Sequence, residues 1–131
     1  MKESTVLTGF LKDLRGLSSD LVVLKHADLS MIGMVDFSVT KWGMTQFWEA
    51  KLVLPGRDMD RLGNWSPLAI ASASPRQFEL AKRLQAWYIF FVVPHGAKRK
   101  RVGEWVLWNP VNTCFKTYHV KSTCLEAMGL P

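Results

Sequence analysis

The sequence predicts an α/β domain in which a central mixed β-sheet is flanked by helices, in the order α-β-β-β-α-β. Residues 2–16 carry apolar side chains at helical spacing, and residues 33–52 alternate between apolar and polar side chains as two joined strands do. Residues 75–93 pass from a helical pattern into a continuous apolar run. A strand, a helix and a second strand in that order indicate a crossover and mixed pairing.

Length and composition favour one globular domain over residues 1–131, with a core at about 2–93 and a β extension at 102–131. The first residues lack the apolar segment and cleavage site of a signal peptide, and no stretch reaches the ~18 apolar residues of a membrane span. We therefore expect no membrane partner. Cys114 and Cys124 are too few for a disulfide scaffold and are interpreted as reduced, which predicts a cytoplasmic protein, whether cell- or phage-encoded. A single bridge in an exported protein is the alternative.

The first helix should end at Gly16, with its apolar stripe made by Val6, Leu7, Phe10, Leu11 and Leu14. Glu3 lies in the first turn, where the helix dipole favours a negative charge, and spacing alone gives it no other role. Residues 21–26 are predicted to form a strand and 27–32 a short connection. Gly33 follows, where a backbone conformation or close approach that other residues resist is allowed.

Residues 33–52 carry the pattern on which the functional hypothesis depends. A two-residue turn at Trp42-Gly43 pairs Lys41 with Met44, and counting outward places Asp36 opposite Glu49. Lys51 lies two residues beyond Glu49 and so shares its face of the sheet. A loop of odd length would shift this pairing by one residue.

The opposite face of the hairpin is predicted to face the core, through Val35, Phe37, Val39, Trp48, Ala50 and Leu52. Two carboxylates directly opposed on one face destabilise a sheet unless something compensates for their charge, and a divalent cation with oxygen ligands would do so. The simpler alternative is a structural ion pair of Lys51 with Asp36 or Glu49.

Residues 53–73 are punctuated by proline and glycine and are predicted to form a long loop with one helical turn. Trp65 in this loop caps the core or stacks on a nucleic-acid base. Ser74-Pro75 then begins a helix that runs to about Gln85, with Phe78, Ala81 and Leu84 inward. Residues 87–93 form a strand buried on both faces.

The C-terminal part contains four consecutive cations, Lys98, Arg99, Lys100 and Arg101, followed by predicted strands at 102–108 and 114–120 and a short helix or tail at 121–130. The net charge of +6 and the pI of about 9.6 favour an anionic partner. The four cations could therefore bind nucleic-acid phosphates, although a solvated turn is the usual state of such a run.

The segments GMVDF, FWEAKL and SPRQFELAKRL, in this order and before a buried strand, resemble the PD-(D/E)xK nuclease superfamily. The resemblance is greatest to the branch with the archaeal-type Holliday junction resolvases and the VRR-NUC nucleases. It covers about residues 2–93 and implies a restriction-endonuclease-like core. Val35 stands where the family usually has proline before the first acid.

The resemblance also implies roles for particular residues. Asp36, Glu49 and the Ala50 carbonyl would bind Mg²⁺ or Mn²⁺, and Lys51 would orient or activate the attacking water. Gln77 matches a glutamine that contacts the site, and Glu3 matches an acidic residue of the first helix. The expected activity is hydrolysis of phosphodiester bonds in DNA, in particular branched DNA such as a Holliday junction, by a homodimer. The alternatives are an inactive nucleic-acid-binding protein with this fold, and an α/β domain that binds a small molecule or a protein.

Overall fold

The structure is a computed structural model that describes residues 1–26, 35–96 and 98–129. Within these ranges the chain forms a six-stranded sheet and four helices. The elements in chain order are α1 (Glu3–Arg15), β1 (Leu21–Lys25), β2 (Phe37–Lys41), β3 (Met44–Val53), α2 (Pro67–Ser72), α3 (Pro75–Arg83), β4 (Trp87–Val92), β5 (Glu104–Trp108), β6 (Phe115–Tyr118) and α4 (Lys121–Gly129). Gly33 and the predicted 27–32 connection lie outside the described residues.

The sheet is open and mixed, and its strands follow the chain order from β1 to β6. All neighbours pair antiparallel except β3 and β4, which are parallel. A parallel neighbour requires a crossover, and α2 and α3 supply it. The predicted α/β class and mixed pairing are therefore confirmed, and β5 and β6 extend the same sheet.

Each face of the sheet carries its own apolar cluster. Helices α1 and α4 cover one face, and α2 and α3 cover the other. Strand β4 contributes to both, with Ile89 and Phe91 in the first cluster and Tyr88 and Phe90 in the second, as predicted for a strand buried on both faces. The predicted core face of the hairpin is confirmed except for Val35. This residue precedes β2, where the alternation has not begun, and it is buried in the second cluster.

The hairpin has the register that the sequence predicts. Lys41 pairs with Met44, and Trp42 and Gly43 have φ values of 51° and 77°. Positive φ at both turn residues is the signature of the two-residue turn that matches the twist of antiparallel strands. Regular pairing of β2 with β3 extends to Phe37 and Trp48, and Asp36 lies one residue outside it.

Other boundaries differ from the predictions by small amounts. The loop at 53–73 contains a six-residue helix, α2, whose cap is the Ser66 hydroxyl accepting a hydrogen bond from the Ala69 N–H. Ser74 is the N-cap of α3 but its side chain makes no capping hydrogen bond. Helix α3 ends at Arg83, and Ala81 is its buried residue. Strands β5 and β6 are shorter than predicted, and the C-terminal segment is helical.

Both cysteines are free thiols, with Cys114 exposed and Cys124 buried. Burial raises the pKa of Cys124 to about 12, so this thiol stays protonated at neutral pH. Among the helices of the described ranges, none combines the length and the apolar character needed to cross a membrane.

Helix α1 is held to the sheet by an aromatic contact, since the rings of Phe10 and Phe91 lie 5.1 Å apart edge to face. We expect Phe10→Ala to lower the free energy of unfolding by about 3–5 kcal/mol, because it leaves a cavity in a close-packed core. Leu62→Ala is the control, since Leu62 is 83% exposed and should change stability by less than ~0.5 kcal/mol. Urea unfolding followed by tryptophan fluorescence measures both values, and equal midpoints for the two variants would contradict the packing described.

Candidate active site

The site is built along one edge of β3, beyond the point where its pairing with β2 ends. The Asp36 Oδ2 accepts a hydrogen bond of 2.8 Å from the Ala50 N–H. Glu3 Oε2, which comes from the start of α1, accepts one of 2.9 Å from the Leu52 N–H. Two carboxylates thus take the place of a neighbouring strand. The N–H and C=O of one residue point to the same side of a strand, so the Ala50 carbonyl is directed towards Asp36.

Glu49 lies between these groups, only 1% exposed, and its Oε2 has no hydrogen-bond partner in the described part of the chain. Burial is the main reason that its pKa is raised, followed by a hydrogen bond with the Asp36 carboxyl and repulsion from the Asp36 charge. Lys51 opposes this rise. The carboxyls of Asp36 and Glu49 are therefore adjacent, as the hairpin register predicted.

Lys51 is oriented by the crossover helix. Its ammonium Nζ donates a hydrogen bond of 2.9 Å to the Gln77 Oε1. Gln77 is the third residue of α3, and Pro75 begins that helix, so the first turn of α3 faces Lys51. The Lys51 ammonium is therefore hydrogen-bonded to Gln77 and to neither Asp36 nor Glu49.

The structure thus brings together six of the predicted site residues: Glu3, Asp36, Glu49, Ala50, Lys51 and Gln77. The four cations Lys98, Arg99, Lys100 and Arg101 are separate from them. All four are exposed, in the connection between β4 and β5.

A groove of about 240 Å³ lies between this cationic segment and the end of β3. Lys100 and Arg57 both line it. Arg57 Nη2 donates a hydrogen bond of 2.7 Å to the Leu52 carbonyl, the residue whose N–H is bound by Glu3. The cations therefore lie at the end of the sheet towards which β3 runs from the carboxylates.

Two residues near the carboxylates were not predicted as part of the site. Tyr88 lies beside Glu49 in the parallel pair, is fully buried, and its hydroxyl has no partner among the described residues. Burial and the nearby Glu49 and Asp36 charges raise its pKa, so it stays a neutral hydrogen-bond donor. Only the register between β3 and β4 reveals this neighbour, and no local sequence pattern sets that register.

His26 is the second such residue. Its backbone N–H donates a hydrogen bond of 2.8 Å to the Asp36 backbone carbonyl, and its ring Nε2 lies 3.1 Å from the Ser38 hydroxyl. It is the last residue of the predicted 21–26 strand. Its proximity to Asp36 follows from the pairing of β1 with β2.

The donor set suits a hard cation. Among the residues described, no group of three or more histidine, cysteine, aspartate or glutamate side chains is arranged to hold a metal ion. Asp36, Glu49 and the Ala50 carbonyl nevertheless offer oxygen ligands, and Mg²⁺ is commonly held by one or two carboxylates with water and phosphate completing its shell. The buried, unpaired Glu49 Oε2 is the atom that a cation would satisfy. These residues therefore fit Mg²⁺ or Mn²⁺.

No protein-family model, curated protein or solved structure matches this chain.

The raised pKa of Glu49 makes stability depend on pH in a definite direction. The unfolded chain releases this proton near the ordinary pKa of 4.5, whereas the folded chain keeps it to higher pH. The folded state then binds more protons, so the free energy of unfolding falls as pH rises above about 4.5. In EDTA at pH 8, we expect Glu49→Gln to be more stable than the wild type by at least ~1 kcal/mol.

The matched control is Glu126→Gln, the same chemical change at an exposed position of α4. It should leave the pH dependence of the melting temperature unchanged. A Glu49→Gln protein that melts at or below the wild-type temperature at pH 8 would show that Glu49 is ionised and satisfied in the fold.

Proposed function

We propose that the chain is a metal-dependent DNA endonuclease with a restriction-endonuclease-like PD-(D/E)xK core. The observation that carries this proposal is the convergence of Asp36, the unpaired Glu49 carboxyl and the Lys51–Gln77 pair on one edge of β3. Asp36 directly precedes β2, Glu49 and Lys51 belong to β3, and Gln77 belongs to α3. The open order of strands β1 to β4 with a crossover helix between β3 and β4 agrees with such a core.

The contacts of each site residue indicate the role that it would have. Asp36 and Glu49 would hold Mg²⁺ or Mn²⁺, which lowers the pKa of bound water and offsets phosphate charge. The Ala50 N–H fixes the Asp36 carboxylate, so its orientation does not depend on the cation. Gln77 holds the Lys51 ammonium through one of its three N–H donors, which leaves the others free for a phosphate oxygen or the attacking water.

The charge distribution supports a nucleic-acid substrate. The chain carries +6, Lys98 to Arg101 form an exposed cationic segment, and a groove lined by Arg57 lies between it and the end of β3. Phosphates along a strand would meet these cations before reaching the carboxylates. Branched DNA such as a Holliday junction is the substrate class proposed. A homodimer would cut two strands, since one centre cuts one.

The decisive test replaces the proposed machinery and leaves the binding surface intact. We expect Lys51→Ala and Asp36→Asn each to lower Mg²⁺-dependent cleavage of a four-way junction by ~100-fold or more, with little change in gel-shift affinity. Lys12→Ala removes an exposed charge from α1 and should cleave like the wild type. Full cleavage by a purified Asp36→Asn/Lys51→Ala protein would refute the proposal.

A second candidate is a nucleic-acid-binding protein that keeps this fold without catalysis. The backbone hydrogen bonds of Asp36 and Glu3 favour it, because they give both carboxylates a structural purpose. Incubation with supercoiled plasmid and a four-way junction, with Mg²⁺ or Mn²⁺, separates the two. A retained gel shift without nicking at micromolar protein would support the inactive protein. Binding without steep salt dependence would instead indicate a domain for a small molecule or a protein.

The cationic segment has its own test. Replacing Lys98, Arg99, Lys100 and Arg101 by glutamine should reduce the magnitude of the slope of log affinity against log salt concentration by up to ~3. Each phosphate contact contributes about 0.7–0.9 to this slope. Fluorescence anisotropy with labelled DNA over a salt series measures this. Replacing Lys2, Lys12, Lys25 and Lys41 instead keeps the net charge change equal, and an equal loss of slope there would show that only total charge matters.

A further inference from the structure

A second concave feature lies on the same face of the sheet as the carboxylates. It is a cavity of about 560 Å³ between the segment that starts α2 and the outer strands β5 and β6. Trp65, Pro67 and Leu68 form one wall, and Trp108, Phe115 and Thr117 belong to the floor. This volume is in the range of sites that hold small molecules or single chemical groups of larger ones.

The register of the sheet ties this cavity to the candidate site. Glu49 aligns with Tyr88, Tyr88 with Trp108, and Trp108 with Phe115. In the next row, Lys51 aligns with Phe90, Val106 and finally Thr117. The cavity floor thus continues the two rows that begin at Glu49 and Lys51. Three steps of ~4.8 Å between strands put the far floor about 14 Å from the site.

The wall of the cavity is also in contact with a residue next to the candidate site. The ring of Trp65 packs 5.1 Å from that of Phe90, the residue beside Lys51. Phe115 is 62% exposed although it belongs to a strand, and it lines the cavity. Aromatic side chains of this kind stack on any nucleic-acid base, because every base has a flat π-surface.

Polar groups suited to a base edge are present as well. Glu104 and Thr117 line the cavity, and in the described part of the chain the Glu104 carboxylate has no hydrogen-bond or ion-pair partner. A carboxylate accepts hydrogen bonds from the exocyclic amino groups of bases. Glu104 follows Arg101 by three residues, so the cationic segment leads to the rim of the cavity.

We propose that this cavity receives an unpaired base of the strand whose phosphate lies at the Asp36–Glu49–Lys51 site, a few nucleotides away. The inference rests on the proposed function and specifies its substrate: DNA with an unpaired segment. Charge selects this occupant over a second copy of the chain. Each copy of the chain carries +6, and the four cations end three residues before Glu104 of the cavity, so this surface attracts a polyanion and disfavours a second copy.

The first experiment measures binding alone, in EDTA, so that it needs no catalysis. The probe is a fluorescein-labelled single-stranded oligonucleotide of mixed sequence, with the matching duplex as a second probe. We expect Phe115→Ala to weaken single-strand binding about tenfold and to leave duplex binding unchanged. Leu62→Ala removes an apolar side chain that is even more exposed and lies outside the cavity, and it should bind both probes as the wild type does.

The second experiment moves one abasic position along the single strand. Wild-type affinity should drop at one or two positions only, and this position dependence should vanish in Phe115→Ala. Equal affinity for all abasic strands, no single-strand binding by the wild type, or a dimer that Phe115→Ala dissociates in sedimentation would each overturn the inference. If only the nuclease proposal is wrong, the dependence of affinity on the abasic position persists but Mg²⁺ produces no cleavage.

Discussion

The site depends on one requirement, which is that the buried edge of β3 needs hydrogen-bond partners where β2 no longer accompanies it. A buried N–H left unpaired costs roughly 1–3 kcal/mol. Asp36 and Glu3 meet this requirement for Ala50 and Leu52 with their side chains. The same two bonds hold carboxylates beside Glu49, so the backbone of one strand gathers the acidic groups. Negative charge concentrated in this way favours a protonated Glu49 or a bound cation.

Unpaired polar atoms in the protein interior lie close to this edge of β3. Among the described residues, the buried side-chain atoms without a partner are Trp48 Nε1, Glu49 Oε2 and the Tyr88 hydroxyl. Two of these belong to neighbours on β3 and β4, in a sheet that is otherwise closely packed. Native proteins satisfy nearly all such groups, and exceptions concentrate where function imposes a cost on stability. The polar part of the site and the aromatic cavity share one face, and α3 lies on that face too.

The sequence was informative where structure is local. Positive φ at Trp42 and Gly43 fixes the hairpin, so the adjacency of Asp36 and Glu49 could be counted from the turn. Features that depend on pairing between distant parts of the chain could not be predicted from the sequence. The place of Tyr88 depends on parallel pairing across a crossover, and the side on which Val35 is buried depends on where β2 begins. The backbone bond of Asp36 required knowing that β2 stops at Phe37, since only then is the Ala50 N–H free.

The contacts that complete the site close loops of very different length. Asp36 reaches Ala50 across 14 residues, Lys51 reaches Gln77 across 26, and Glu3 reaches Leu52 across 49. Loop-closure entropy rises by about 0.6 kcal/mol for each doubling of length, so the Glu3 contact costs about 1 kcal/mol more to close than the Asp36 contact. The hairpin therefore brings its two acids together through the shortest loop, whereas the side chains from α3 and α1 reach β3 through longer loops that cost more entropy to close. Of the three contacts, the one made by Glu3 depends most on the rest of the chain being in place.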